Sequence, residues 1–391
     1  MNWKQVHKKY DYLLALAVIA LGVFGVVMIY TSVFSEAVPL HVRNANLGLW
    51  QRQRAFIITG VILMLVFSFI DYHYITRFYW AIYAAMLLLL VVVLLIGKDE
   101  GTGVARWIWI PLPLIGALSM QPSEFAKIFI TIFLAKFLEV YRFNRPFLFA
   151  AVLALIGVPV ILVVLQPSFS ASMVVLTVSL TVLFVGGLYW RIILAGLAVV
   201  APIIVVIWFD LQREVPIIVT RFLGEWQWRR IESFLRPELA NPDTVRQTQG
   251  SVEAIIKGGL TGNGFLGNPY IILGNNDFIF SVAASQFGFV GAAVLLGVVA
   301  FIISRCILIA LRAVDMEGRL LAAGVAGMLI FETFFHVSVA TNLLPNTGMP
   351  FPFMSYGGSM IWVHMLAIGM VLNVRLPRKP RSIFDEQDEE E

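Results

Sequence analysis

Residues 12–30 read YLLALAVIALGVFGVVMIY, nineteen consecutive positions without a charged side chain. A helix of that length rises about 28 Å, close to the roughly 30 Å of hydrocarbon in a bilayer. Backbone polar groups in hydrocarbon have to be satisfied within their own segment, which favours a helix over an isolated strand. The run therefore predicts a membrane-spanning helix.

Comparable apolar runs recur along the whole chain. Of its 391 residues, 59% are hydrophobic and 13% charged, with a mean hydropathy of +0.85, more apolar surface than a soluble domain hides. The runs are too long and unbroken for an outer-membrane barrel. They predict an all-α integral membrane protein with about ten transmembrane helices. The predicted spans are 11–31, 54–71, 77–96, 121–139, 147–165, 170–187, 189–209, 278–304, 318–342 and 353–375.

Basic residues follow these spans in the pattern that the positive-inside rule requires. With the N-terminal lysines in the cytoplasm, every segment predicted inside is basic, as Arg77, Arg191 and Arg312 illustrate. We therefore expect a multi-pass protein with both termini in the cytoplasm. The pI of about 9.2 then reflects topology, and no nucleic-acid partner is expected.

Two predicted domains follow from this layout. Residues 1–377 form a polytopic membrane domain, and 378–391 form an acidic cytoplasmic tail. Within the membrane domain, residues 210–276 make a large extracytoplasmic loop between spans seven and eight. Long loops in compact proteins are usually functional or disordered, and Trp226 and Trp228 favour order at the membrane surface. The tail, which ends in DEQDEEE, is interpreted as solvated chain rather than a partner-binding segment.

One acid stands at the mouth of the eighth span, in the stretch NNDFIFSVAASQFGFVG (275–291). Asp277 fits a helix N-cap, a position that Asp and Asn favour. The alternative is a general base or a metal-binding carboxylate at the membrane–water boundary, which residue chemistry favours less than the cap. Residue chemistry leaves both interpretations open.

The large loop offers two further candidates. GNGFLG (262–267) formally matches a dinucleotide-binding fingerprint, but no strand precedes it, so it is either a plain turn or a turn approaching a ligand. The basic side chains of the loop either bind a phosphorylated ligand or are solvated and paired with acidic residues of the loop. These cations are Arg213, Arg221, Arg229, Arg230, Arg236, Arg246 and Lys257.

The stretch NLLPNTGMPFPFMSYGGSM (342–360) has three prolines within eight residues, which a helix cannot accommodate. Non-helical backbone at membrane depth is tolerated where it is buried or lines a cavity. We therefore predict a broken or re-entrant segment in which Ser355, Tyr356 and Ser359 form part of a polar wall.

The remaining polar candidates inside the predicted spans are Glu124, Lys127, Glu332, His336 and His364. The first two are three positions apart on one helix and would pair. Glu332 and His336 share one helix face, which we expect to line an interior cavity. They are too few for a metal site to be predicted.

Four blocks together resemble the SEDS family of shape, elongation, division and sporulation proteins, the RodA/FtsW proteins. The resemblance covers nearly the whole chain, including the ten-span layout and the large outer loop. The blocks are ARWIWIPLPLIGALSMQPSEFAKI (105–128), SVEAIIKGGLTGNG (251–264), NDFIFSVAASQFGFVGA (276–292) and LLPNTGMPFPFMSYGGSM (343–360).

The resemblance implies a peptidoglycan glycosyltransferase that polymerises lipid II at the outer face of the bacterial cytoplasmic membrane. It implies a class B penicillin-binding protein and other morphogenetic proteins as partners. Asp277 falls on the family's essential acid and would be the catalytic residue, acting as a base or with a divalent cation, Mg or Mn, whose ligands stay unassigned. The implied substrate-binding positions are Arg106, Trp107, Glu124, Lys127, Arg230, Gln247, Ser355, Tyr356, Gly357, Gly358 and Ser359.

The chain departs from the family pattern at four polar positions. Ser168, Ser285 and Gln286 stand where the family favours acids, and His336 where it favours asparagine. These departures raise the hypothesis of a divergent paralogue with altered partners, regulation or activity. Two alternatives to a polymerase therefore stay open: a flippase for a lipid-linked precursor, and a non-catalytic scaffold for a penicillin-binding protein.

Overall fold

The computed structural model describes residues 9–98, 106–112, 116–141, 146–166, 168–188, 225–267 and 269–376, with isolated positions between 196 and 213. Within these residues the chain forms thirteen helices and one two-stranded sheet. In chain order the elements are α1 Tyr12–Phe34, α2 Leu40–Asn46, α3 Leu49–Phe69, α4 Tyr72–Thr76, α5 Tyr79–Ile96, β1 Ile108–Leu112, β2 Gly116–Met120, α6 Pro122–Val140, α7 Pro146–Val164, α8 Phe169–Val185, α9 Glu225–Leu235, α10 Pro242–Gly258, α11 Ile279–Leu311, α12 Met316–Ala340 and α13 Gly358–Val374.

The helices confirm a helical membrane protein. Five segments are long and apolar enough to cross a bilayer: α1, α2 with α3, α5, α11 and α12. Three shorter apolar helices, α7, α8 and α13, correspond to further predicted spans. The predicted fourth span is α6, a helix that carries charges. The predicted seventh span, 189–209, lies mostly outside the described residues, so the count of ten stays a prediction.

A short antiparallel hairpin is the exception to the all-helical prediction. Strands β1 and β2 pair with Ile108 opposite Met120 and Leu112 opposite Gly116. The hairpin leads directly into α6, where the backbone N–H of Gln121 donates to Ser359 Oγ over 3.1 Å. It thereby joins the start of α6 to the start of α13.

The predicted outer loop contains two helices, α9 and α10. Their presence agrees with an ordered loop, although residues 214–224 lie outside the described part. The acidic tail, 378–391, also lies outside it. The division into a membrane domain and a tail therefore stays a prediction.

The GNGFLG stretch packs against a kink in α11. The kink lies at Gly288, whose φ is +65°. Just before it, the N–H groups of Asn263 and Gly264 donate to the carbonyls of Ser285 (3.0 Å) and Gln286 (3.1 Å). A Cβ at Gly262 would lie 2.0 Å from the Gln286 carbonyl oxygen, so only glycine fits there. The close approach of this turn is therefore to the backbone of α11.

Candidate functional site

A cavity of about 240 Å³ lies where α6, α9, the start of α11 and the segment between α12 and α13 meet. It brings together residues from distant parts of the sequence. Nine of the twelve predicted site residues line it: Arg106, Trp107, Glu124, Lys127, Arg230, Asp277, Tyr356, Gly357 and Ser359. Their role as site residues stays a prediction, but the cavity gives them a common location.

Asp277 does not cap α11. The helix starts at Ile279, its N-cap position is Phe278, and no side chain caps it. The Asp277 carboxylate instead lines the cavity, although its side chain is only 6% exposed. The N-cap interpretation of this residue is therefore wrong: no N–H of α11 donates to the carboxylate, and the nearby charges of Arg230 and Arg106 act on it instead.

Two arginines set the electrostatics of this carboxylate. Burial raises the pKa of Asp277 above its ordinary value, and the positive charges of Arg230 and then Arg106 lower it. Burial also lowers the pKa of the Arg230 guanidinium to about 10, while Asp277 opposes that shift. At neutral pH Arg230 is therefore still charged, and Asp277 is a more basic carboxylate than one in water.

Gly348 places backbone directly against this pair. Its φ is +72°, and a Cβ there would lie 3.2 Å from Arg230 Nη1 and 3.6 Å from Asp277 Oδ2. Asn346 Oδ1 holds the turn by accepting a 3.0 Å hydrogen bond from the Gly348 N–H. Glycine is therefore suited to this position both for its backbone conformation and for the space it leaves.

The predicted broken segment is confirmed: residues 342–357, between α12 and α13, are not helical. Side chains fix it at several points. His336 Nδ1 donates to the Met349 carbonyl over 2.8 Å. Ser355 Oγ accepts from the Phe351 N–H and donates to the Asn276 carbonyl, each over 2.8 Å. The segment is thus tied to the residue that directly precedes Asp277.

A buried charge cluster begins at the cavity wall, where Glu124 and Lys127 line it, and continues to Glu332 and His364 behind them. Lys127 Nζ lies 2.8 Å from Glu124 Oε1 and 2.7 Å from Glu332 Oε1, so the predicted Glu124–Lys127 pair is confirmed. Glu332 Oε2 also lies 2.5 Å from His364 Nε2, while His364 Nδ1 faces the Met360 carbonyl at 2.7 Å. Because Nδ1 has to donate to that carbonyl, one proton is shared between Nε2 and Glu332. The cluster links α6, α12 and α13.

The remaining predicted positions have other surroundings. Gln247, Ser355 and Gly358 are not among the residues that line the cavity. Ser355 makes the backbone contacts described above, and Gly358 packs on Phe56, since a Cβ would lie 3.0 Å from Phe56 Cε1. Glu332 and His336 do not line the cavity either, which corrects the expectation for their shared helix face, because one is held in the charge cluster and the other by Met349.

Among the loop cations, Arg230 lines the cavity. Three of the others contact acids or a backbone carbonyl of the loop instead. Lys257 Nζ lies 3.8 Å from Glu253, and Arg213 Nε lies 4.0 Å from Asp210. Arg236 donates to the Leu211 carbonyl over 3.0 Å. Arg221 lies outside the described residues.

Three of the four departures from the family pattern lie away from the Asp277 carboxylate. Gln286 Nε2 donates to Thr31 Oγ1 over 2.7 Å, which joins α11 to α1. Ser285 supports the turn at Asn263, and His336 holds Met349. Ser168 differs, because it lines the cavity itself.

In the described part of the chain, no group of three or more His, Cys, Asp or Glu side chains is arranged to hold a metal ion. Glu124 is engaged by Lys127, which leaves Asp277 as the other carboxylate that lines the cavity. Mg²⁺ often uses one or two carboxylates and completes its shell with substrate phosphates and water. Asp277 fits that mode.

A protein-family model for FtsW, RodA and SpoVE, described as "Cell cycle protein", matches residues 11–379. The chain belongs to this family. It is 31% identical to the probable peptidoglycan glycosyltransferase FtsW of Trichlorobacter lovleyi, over 94% of this chain and 93% of that one. It is 30% identical to the peptidoglycan glycosyltransferase MrdB of Escherichia coli K12, over 96% of each chain.

Solved structures agree with the FtsW/RodA assignment. A chain from a study of polymerization and crosslinking by a peptidoglycan synthase complex has a TM-score of 0.74 and 29% identity, covering 94% of this chain and 97% of that one. Crystalline RodA of Thermus thermophilus has a TM-score of 0.65 and 28% identity, covering 94% and 96%.

Proposed function

We propose that this chain is a peptidoglycan glycosyltransferase that polymerises lipid II into glycan strands. The observation that carries the proposal is the Asp277 carboxylate in a cavity shared with the guanidinium groups of Arg230 and Arg106. A base beside two cations suits a reaction between a sugar hydroxyl and a sugar pyrophosphate. Relatives of similar length that bear the name peptidoglycan glycosyltransferase support it.

The carboxylate and the two guanidinium groups have separate roles in this reaction. Asp277 takes the proton of the attacking sugar hydroxyl, whose oxygen forms a bond to the anomeric carbon of the second sugar. The bond from that carbon to the pyrophosphate oxygen breaks, and undecaprenyl pyrophosphate leaves with its electron pair. Arg230 and Arg106 bind the pyrophosphate and stabilise the charge that it gains. A divalent cation held by Asp277 and the pyrophosphate would add to that stabilisation.

The burial of Asp277 affects how well its carboxylate can act as a general base. A general base is most effective when its pKa approaches the working pH. The burial of Asp277 moves its pKa in that direction, whereas the positive charges of Arg230 and Arg106 oppose the shift and favour the ionised carboxylate.

The placement of the two chain ends supports an outer-face reaction. Asp11, just before α1, pairs with Arg375, just after α13, so the described ends share one membrane face. Asp277 stands at the start of α11, whereas Arg305, near the end of α11, also pairs with Asp11. With both termini in the cytoplasm of a bacterium, Asp277 is at the outer face of the cytoplasmic membrane, where glycan strands are assembled. The role would be in elongation, division or sporulation.

A class B penicillin-binding protein is the proposed partner. The structural relative with a TM-score of 0.74 comes from a peptidoglycan synthase complex that coordinates polymerization with crosslinking. The chemistry built around Asp277 serves glycosyl transfer, and the crosslinking step would come from another chain.

One assay separates the polymerase from the flippase and the scaffold. The purified chain, with its penicillin-binding partner, is incubated with labelled lipid II and Mg²⁺ or Mn²⁺, and the glycan products are resolved on a gel. We expect polymer. Lipid II that crosses liposome leaflets without polymer would favour the flippase, and an intact complex without polymer would favour the scaffold.

A further inference from the structure

A second cavity, of about 310 Å³, lies near the opposite end of α11 from Asp277. From Ile279 to Arg305 a straight helix would rise about 39 Å, more than the roughly 30 Å of hydrocarbon, and α11 has one kink between them, at Gly288. The cavity is therefore at the other membrane face, where the described chain ends meet. Its basic side chains are Lys9, Arg305, Arg312 and Arg375.

A buried acid fixes two of these cations. Asp11 is 2% exposed; its Oδ1 accepts from the Leu14 N–H over 3.2 Å and so caps α1. Its Oδ2 accepts from Arg305 Nε over 2.9 Å and also from Arg375. One carboxylate thus holds two guanidinium groups in place at the cavity wall. Four cations against one acid leave the cavity with an excess of positive charge.

The other two cations are exposed at the cavity mouth. Lys9 and Arg312 are both solvent-accessible, and no carboxylate among the described residues pairs with either of them. The rest of the wall is apolar and includes Leu308, Ile309 and Val374. The cavity therefore presents phosphate-binding groups beside a hydrocarbon surface.

We propose that this cavity binds the phosphate headgroup of an anionic phospholipid. Basic pockets between membrane helices bind such headgroups, and arginine and lysine supply the donors that a phosphate takes. The apolar wall suits the glycerol and the first acyl carbons. The stretch DEQDEEE (385–391) is a poorer match, since its carboxylates come without an apolar group to cover Leu308 and Val374. Ile383 and Phe384 precede it, but they follow the basic stretch RKPR (378–381), which a basic cavity repels.

The test uses the full chain in phosphatidylcholine nanodiscs titrated with phosphatidylglycerol, read by native mass spectrometry of retained lipid. We expect phosphatidylglycerol to be retained over phosphatidylcholine. Lys9→Gln and Arg312→Gln should each weaken that preference about fivefold, and the double variant about thirtyfold, since a basic residue near a membrane surface contributes roughly 1 kcal/mol. Both residues are exposed, and an unchanged thermal unfolding midpoint would verify that the variants fold.

The matched control is Arg77→Gln. Arg77 is exposed on the same face, following Tyr72, whose N–H donates to Asn373 Oδ1 over 2.9 Å, but it does not line the cavity. This variant should retain phosphatidylglycerol like the wild type. A double variant that retains it equally well would overturn the proposal. Equal displacement of the lipid by inorganic phosphate would reassign the cavity to a soluble phosphate. A preference seen only after deletion of 385–391 would reassign it to the tail.

Discussion

Lys127 Nζ lies 2.7 Å from Glu332 Oε1, and neither side chain is more than 1% exposed. The pair joins α6 to α12 beside the Asp277 cavity. A buried charge is tolerated only while its partner remains, so removing one member leaves an unpaired charge in a low-dielectric interior. We expect Lys127→Met to destabilise the fold by about 3–5 kcal/mol, measured by unfolding in detergent micelles.

A matched surface pair serves as the control for that prediction. Lys257 and Glu253 are 3.8 Å apart and more than 60% exposed. Lys257→Met should change stability by no more than about 1 kcal/mol, because solvent screens the pair. Equal losses in the two variants would contradict the assignment of Lys127 to a buried cluster.

Gly348→Ala should lower polymerase activity more than it lowers stability. The new Cβ would meet Arg230 Nη1 at 3.2 Å and Asp277 Oδ2 at 3.6 Å, so the guanidinium has to shift from the carboxylate. Gly264→Ala is the control, since Gly264 has a similar φ of +83° with no atom within 4 Å of the added Cβ. Both variants carry backbone strain of roughly 1 kcal/mol or more, but only the first should slow glycan formation at a fixed lipid II concentration.

Arg230→Gln should move the acidic limb of the pH–rate profile to higher pH. Burial raises the pKa of Asp277, and Arg230 is the first of two cations that lower it. Without Arg230 the pKa rises further, so a higher pH is needed to ionise the base. Arg229→Gln, an exposed neighbour on α9, should leave the limb in place. A limb that does not move with Arg230→Gln would show that Asp277 is not the group that titrates.

Gln286→Glu, which restores an acid that the family favours, should destabilise the chain without raising activity. Gln286 is 1% exposed and donates to Thr31 Oγ1, while Thr31 donates its own hydrogen to the Met28 carbonyl over 2.9 Å. A carboxylate there has no donor from Thr31, which costs at least about 1–3 kcal/mol. Activity above that of the wild type would contradict a purely structural role for this position.

The sequence was most informative where its signal is local. Apolar runs predicted the helices, the three-residue spacing of Glu124 and Lys127 predicted their ion pair, and three prolines predicted the break at 342–357. Each depends on covalent geometry or on neighbours within one helical turn. Residue chemistry singled out Asp277 but left its role open; the family blocks gave it a role, and the cavity now gives it charged neighbours.

The contacts that sequence reasoning missed are between distant segments. Glu332 bonds both His364, 32 residues away, and Lys127, and these contacts exist only through the packing of α12 and α13 on α6. The local sequence predicts a helix cap at Asp277 because the preference of Asp for the N-cap position takes no account of Arg230, which lies on a separate helix, α9. The β1–β2 hairpin was hidden within a run whose apolar character does not distinguish strand from helix.

We propose Asp277 as the base of a lipid II polymerase. The most direct measurement is the rate of glycan formation from labelled lipid II by the wild type and by Asp277→Asn, each in complex with the penicillin-binding partner. We expect polymer from the wild type and a loss of at least about 100-fold in Asp277→Asn, with the complex and its unfolding midpoint retained. Polymer formed by Asp277→Asn at the wild-type rate would contradict it.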